Sequence, residues 1–252
     1  MMILLIGLII GSFLNVCIYR IPKSQSIVYP SSHCYQCKSP LKPLDLIPVF
    51  SYIFLGGRCR YCNTQISIRY MLVELLTGII FLLLFFKYFL SINYIFYAIL
   101  LCILIIITFI DYDHQIIPDG LIVSGFLLGL LYKLTLYLFI KESIGIINSL
   151  LGFFVGGGLF LLIAVISKGG MGGGDIKLMA MLGFLLGWRY IIFISLLSFI
   201  IGSIISIGLL LIKVKTRKDT IPFGPFIALA TFISILYYEP IVSWYIKFIY
   251  KL

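Results

Sequence analysis

The chain has 252 residues, 62% of them hydrophobic and 11% charged, with a mean hydropathy of +1.17. A water-soluble core of this length has no use for so much apolar side chain, so a soluble enzyme is excluded and a multi-pass membrane protein is expected. The formal net charge of +10 does not signal nucleic-acid binding, because no basic stripe alternates with aromatics. Membrane topology and contact with anionic lipid account for it.

A helix needs about 20 apolar residues to cross a bilayer. Residues 1–18 approach that length, and they lack both a basic start and a small-residue cleavage site, so they read as a retained first helix rather than a signal peptide. A polar insertion follows over 19–71, rich in Pro, Ser, Cys and turn residues and too poor in apolar runs to build a core unaided. It carries two CxxC knuckles, Cys34-Tyr35-Gln36-Cys37 and Cys59-Arg60-Tyr61-Cys62, separated by 21 residues. Four thiolates at this spacing close a tetrahedral site, and one structural zinc is the expected occupant. Two disulfides are the alternative, which a cytoplasmic location disfavours. His33 is a bystander beside the first knuckle, and Cys17 and Cys102 lie in apolar helices, where a lone cysteine packs as a small hydrophobe.

Further apolar segments run over 72–90, 94–112, 119–140, 144–167, 176–188, 190–212 and 222–238. With the first they make about eight crossings, the sixth of them short, and the tail 241–252 either crosses or lies at the interface. The expected fold is an all-α polytopic membrane protein with a small cytoplasmic zinc-ribbon-like insertion: a first helix over 1–18, the insertion over 19–71 and a helical bundle over 72–252. If residue 1 starts outside, the inward loops hold Arg20, Lys23, Lys38, Lys42, Arg58, Arg60, Arg69, Lys168, Lys177, Lys213, Lys215, Arg217 and Lys218, thirteen of the 19 basic residues. The positive-inside rule then puts both termini outside and the insertion in the cytoplasm.

Two acidic sites stand out against this apolar background. Asp111, Asp113 and Asp119 lie in FIDYDHQIIPDG, where one apolar run ends, and Asp175 closes the run GMGGGD that begins at Gly170. An unpaired charge in hydrocarbon costs on the order of 3 kcal/mol, so carboxylates there are functional candidates. Capping explains Asp119, ahead of a helix starting at Gly120, and is open for Asp175, ahead of one starting at Ile176. It does not explain Asp111, which falls at a helix C-terminus where the macrodipole disfavours an anion. Asp111 and Asp175 share the cytoplasmic face in this topology. Two carboxylates held close share a proton, one activating water and the other polarising a carbonyl, which suffices for peptide hydrolysis. The glycines at 169, 170, 172, 173 and 174 let backbone approach a bound chain; alternatively they form a hinge.

These motifs resemble the type IV prepilin peptidases, the leader peptidase/N-methyltransferases of the GxGD class of membrane aspartic proteases. The likeness covers GSFLNVCIYRIP at 11–22, both knuckles, LIPVFSY at 46–52, GRCRYC at 57–62, ISIRYMLVELLTG at 66–78, DYDHQIIPD at 111–119, GMGGGDIKL at 170–178 and PFGPF at 222–226. Departures are small: Met71 where a proline is common, and Gly56 where a basic residue is common. The resemblance implies catalysis by Asp111 and Asp175, with Asp113 a decoy, and zinc ligation by Cys34, Cys37, Cys59 and Cys62. It implies cleavage of a short basic leader from prepilins or pseudopilins at the cytoplasmic face of the cell membrane, then S-adenosylmethionine-dependent methylation of the new amine. No glycine-rich nucleotide turn is present, so the methyl-donor site stays unassigned; Glu74 is a candidate, with an ion pair to Arg69 or another basic residue as its alternative. Two other classes compete: a carboxylate-dependent ion-coupled transporter, against which speak both carboxylates at one membrane face and the lack of inverted repeats, and a zinc-stabilised assembly scaffold.

Overall fold

Apolar run length dictates the architecture, and each predicted segment folds as a helix. The computed structural model describes residues 1–141, 145–216 and 219–250. The predicted segment start at 144 and the basic residues Arg217, Lys218 and Lys251 lie outside the described residues. The helices are α1 (Met2–Arg20), α2 (Phe50–Phe54), α3 (Arg69–Tyr88), α4 (Ile92–His114), α5 (Asp119–Thr135), α6 (Ile146–Ile166), α7 (Gly173–Leu186), α8 (Trp188–Leu211) and α9 (Gly224–Tyr250). Among the described residues no β-strand forms, and two isolated bridges lie in the insertion.

Among the described residues seven helices are long and apolar enough to cross a membrane: all but α2 and α7. The short sixth segment is α7, with 14 residues, about 21 Å long at 1.5 Å per residue. Leu178 to Gly183 and Leu185 are buried, packed against α5, α6 and α8. Protein rather than lipid covers this helix, so the length that hydrocarbon demands does not apply to it. Helix α9 runs on through Pro240 to Tyr250, so the segment predicted over 222–238 and most of the tail form one helix.

The chain divides into two compact units, Met1–Ile110 and Asp111–Leu252. In the first, α1 and α3 are antiparallel: Gly7 faces Gly78, Gly11 faces Glu74, and Asn15 donates to the Tyr70 carbonyl at 3.0 Å. A methyl on Gly7 would sit 2.7 Å from the Gly78 Cα, so the small residues let the backbones touch. The insertion therefore leaves and re-enters the bundle at one place. Arg20, buried at the end of α1, fixes its first turn by donating to the carbonyls of Ser26 and Pro30 at 2.9 and 2.8 Å.

In the second unit α7 is the central element. Gly152 and Gly156 of α6 lie against the backbone of α7 at Gly183 and Met179, an antiparallel contact that any side chain would block. Gly125 and Gly129 of α5 meet Met181 and Leu185, so α5 runs parallel to α7. Helices α8 and α9 are antiparallel, with Tyr190 stacked on Tyr238 at one end and Gly202 against Phe226 at the other.

Candidate active site

Helix α4 ends at a left-handed residue, Gln115 (φ 53°), whose N–H bonds to the Asp111 carbonyl. Asp111 is 6% exposed, whereas Tyr112, Asp113 and His114 are all exposed. Its place in the last turn of α4 is the dipole conflict expected from sequence, and a second helix resolves it. The N–H of Gly224, the first residue of α9, donates to Asp111 Oδ2 at 2.9 Å. The carboxylate thus meets an unsatisfied donor and the positive end of another helix. Proline at 225 fits the first turn of α9, where its missing N–H costs nothing. The preceding loop is tied down by Gln115, whose Nε2 donates to the Thr220 carbonyl at 3.4 Å while the Thr220 hydroxyl donates to Gln115 Oε1 at 2.9 Å.

Asp175 does not cap a helix starting at Ile176. The helix begins at Gly173 with Gly172 as its N-cap, which leaves Asp175 inside the first turn, reaching back to the Gly172 N–H. Asp175 is 8% exposed, and its Oδ1 is buried without a hydrogen-bond partner. The Asp111 charge acts on it directly, yet the two carboxyl groups share no hydrogen bond. Two of the run's glycines are needed for close approach. A side chain on Gly174 would strike Ile117 from the loop after α4, and one on Gly172 would press on Asp175 Oδ2. Asp119 is likewise not an N-cap: Pro118 holds that position, and Asp119 pairs with Lys177 Nζ at 2.7 Å on the exposed surface. So the end of α4 and the starts of α5, α7 and α9 converge around Asp111 and Asp175.

The cysteine cluster is a separate centre. Each knuckle is a tight turn closed by an isolated bridge, His33 to Pro40 and Arg58 to Gln65, with Lys38 and Asn63 in matching left-handed positions. The Sγ atoms of Cys34, Cys37, Cys59 and Cys62 all lie within 4.8 Å of one another, and Cys34 and Cys62 are 3.8 Å apart. Tetrahedral thiolates around an ion 2.3 Å away stand about 3.8 Å apart, so this is a donor set able to hold a metal ion. All four cysteines are free. Asp45 ties the linker between the knuckles to the second one, accepting from Arg60 Nε at 2.6 Å and from the Tyr61 hydroxyl at 2.9 Å. Partial burial of Asp45 is outweighed by these bonds and by the Lys42 N–H, which hold its carboxyl below the ordinary range.

Beside this cluster a cavity of about 410 Å³ opens within the first unit, lined by Asn15, Arg20, Tyr35, Tyr52, Tyr70 and Glu74 among others. Glu74 is buried, and its Oε2 accepts from the Val49 N–H at 2.7 Å, with the Ser12 hydroxyl as a further partner. Val49 sits at φ 63°, a costly conformation for a β-branched residue, and Glu74 is what holds it. Sequence reasoning missed this contact and the Gly224 contact alike. The only signals were the motifs LIPVFSY and PFGPF, which carry no obvious chemistry in their side chains.

Known proteins resemble the chain along nearly its whole length. Residues 5–88 match the profile described as Bacterial Peptidase A24 N-terminal domain, and residues 98–207 match the Type IV leader peptidase family. The chain is 34% identical to a prepilin leader peptidase/N-methyltransferase of Aeromonas salmonicida, over 98% of this chain and 93% of the relative. Proteins of the same name from Legionella pneumophila (35% identical, 97% and 93% covered) and Bacillus subtilis (34%, 96% and 95%) are similarly close. No solved structure matches the chain. With both profiles in order along the sequence and relatives of this identity over nearly their whole length, the chain belongs to the type IV leader peptidase family.

Proposed function

We propose that the protein removes the short basic leader of type IV prepilins or pseudopilins by hydrolysis at an aspartate dyad, Asp111 and Asp175, and then methylates the new N-terminus. The observation that carries the reading is the pair itself: two buried carboxylates on different helices, brought together where the loop after α4 packs Ile117 on Gly174, and not hydrogen-bonded to one another. The reaction needs one water between them. One carboxylate takes a proton from the water as its oxygen attacks the scissile carbonyl carbon, and the other gives a proton to the carbonyl oxygen. The tetrahedral intermediate collapses when the now protonated carboxyl gives its proton to the departing amine, the C–N bond breaks, and the other carboxylate takes a hydroxyl proton back as the carbonyl re-forms. No covalent enzyme intermediate forms.

In the bacterial inner membrane, both termini lie outside and the dyad lies at the cytoplasmic face, with α7 as the eighth crossing. The positive-inside count supports this orientation. The four cysteines hold one zinc, which folds the insertion rather than catalyses, since four thiolates leave no open position.

S-adenosylmethionine is bound in the cavity beside the zinc module. Its volume lies within the roughly 300–1,000 Å³ of small-molecule sites. Tyr35, Tyr52 and Tyr70 bring rings suited to a sulfonium cation or an adenine, and Glu74 brings an acidic group. When bound, the cofactor supplies the methyl group to the new amine; Glu74 lines the site and is held by the Val49 N–H behind it. The reading is tested with purified protein and a pilin-type precursor, by following leader removal and N-terminal mass in Asp111→Asn and Asp175→Asn. Retained cleavage in either variant contradicts it.

A further inference from the structure

The contact of the start of α9 with Asp111 does more than offset the dipole of α4. Gly224 occupies the first helical position at ordinary helical dihedrals, outside the positive-φ set. Backbone conformation therefore gives no reason for glycine there, and alanine is the better helix former. What excludes alanine is a single neighbour. A Cβ at 224 would lie 2.7 Å from Asp111 Oδ2, 3.3 Å from its Cγ and 3.4 Å from its Cβ, and the nearest atoms are all from Asp111. The same residue donates the N–H that holds Oδ2 at 2.9 Å. The missing side chain and the donor are two halves of one cradle.

The surroundings stiffen that cradle. Prolines at 222 and 225 flank it and fix φ on either side. The Phe226 and Ile227 N–H groups close the first turn onto the Phe223 carbonyl, and Phe223 and Phe226 pack against Gly202 of α8. Thr220 and Gln115 clamp the loop to the end of α4. A pivot built this way holds one carboxylate oxygen in place and leaves the other free to act on water.

We propose that Gly224 is the positioning residue of Asp111: its N–H anchors Oδ2, and its bare Cα admits the carboxylate to the reacting geometry. This rests on Asp111 being one of the catalytic pair. Misplacement of a reacting group by about 1 Å can cost 10²-fold in rate, so Gly224→Ala is expected to lower kcat at least about tenfold while KM stays within about twofold. A purely structural glycine behaves differently: alanine there leaves activity intact, or removes it together with folded protein.

The experiment measures kcat, KM and thermal midpoint in detergent for the full chain. Its substrate is a synthetic precursor with a basic leader, a glycine and a phenylalanine-led apolar helix. Gly208→Ala is the control, since a Cβ there meets nothing. Loss of kcat in Gly224→Ala, with KM and midpoint unchanged or the midpoint raised, and with Gly208→Ala fully active, is the expected result. Wild-type kcat in Gly224→Ala overturns the proposal and leaves the dyad standing, as does a loss that tracks a lowered midpoint. Retained cleavage in Asp111→Asn removes the dyad, and this inference with it.

Discussion

The Gly224 N–H donates to Asp111 Oδ2 at 2.9 Å across 113 positions of chain. A buried carboxylate at the wrong end of its own helix is thereby placed at the right end of another. Placement of the Asp111 carboxylate and its electrostatic compensation come from the same contact, so the end of α4 and the start of α9 are one structural element.

Burial separates the two aspartates of the DYD triplet. Asp111 is buried beside Asp175, and Asp113 is exposed one turn edge away. Asp113→Asn is expected to retain cleavage within about threefold of wild type, whereas Asp111→Asn loses at least the roughly 10²-fold that a positioned acid–base group supplies. Single-turnover cleavage of the synthetic precursor decides between them, and equal losses in both would undo the assignment within the triplet.

Four sulfurs within 4.8 Å predict about one zinc per chain by mass spectrometry of the purified protein. Cys34→Ser with Cys37→Ser abolishes that stoichiometry. Because metal binding and folding of such a module are one equilibrium, the residues between Ser24 and Ser67 then become sensitive to protease, while α3 to α9 stay intact. Cobalt replacement giving a tetrahedral thiolate spectrum is the positive counterpart, and an octahedral one would contradict the site.

Glu74, which lines the cavity, holds Val49 in a strained conformation. Removing the acceptor with Glu74→Ala leaves a buried N–H unpaired, a loss of about 1–3 kcal/mol, and lets the loop 46–52 relax. The expected outcome is weaker S-adenosylmethionine binding by calorimetry and an unmethylated mature N-terminus, with leader removal persisting. Unchanged cofactor affinity would place the methyl-donor site elsewhere.

Gly183 faces Gly152 backbone to backbone at the α6–α7 crossing. Gly183→Leu forces the helices apart and is expected to lower the thermal midpoint, in line with the 1–3 kcal/mol or more of overpacking. Gly158→Ala, on the open side of α6 where a Cβ meets nothing, leaves the midpoint unchanged or raises it. Equal behaviour of the two variants would show that the crossing does not depend on small residues.

Helix positions were legible because hydrocarbon sets a minimum run of apolar residues, and α1, α3 and α4 end within three residues of their predicted limits. Helix α7 escaped that rule because neighbouring helices cover it. The knuckles were legible because ligand spacing is local. Pairing of Asp111 with Asp175 was only inferable from topology, since it joins residues 64 positions apart (175 minus 111) through the folding of α4 to α7. The Gly224 cradle left no side-chain chemistry to read, only a glycine between prolines. Asp119 was misread as a cap because Pro118, with its extended backbone (ψ 129°), had already taken the N-cap position.

The most direct test of the dyad is leader removal by purified enzyme, read as the intact mass of the product N-terminus for wild type, Asp111→Asn and Asp175→Asn at matched protein level. Wild type is expected to yield the shortened product, and each variant only the uncut precursor while still binding zinc at about one per chain. Leader removal by either folded, zinc-loaded variant at more than about 1% of the wild-type rate, the loss expected for a single acid–base group, would contradict hydrolysis by Asp111 and Asp175.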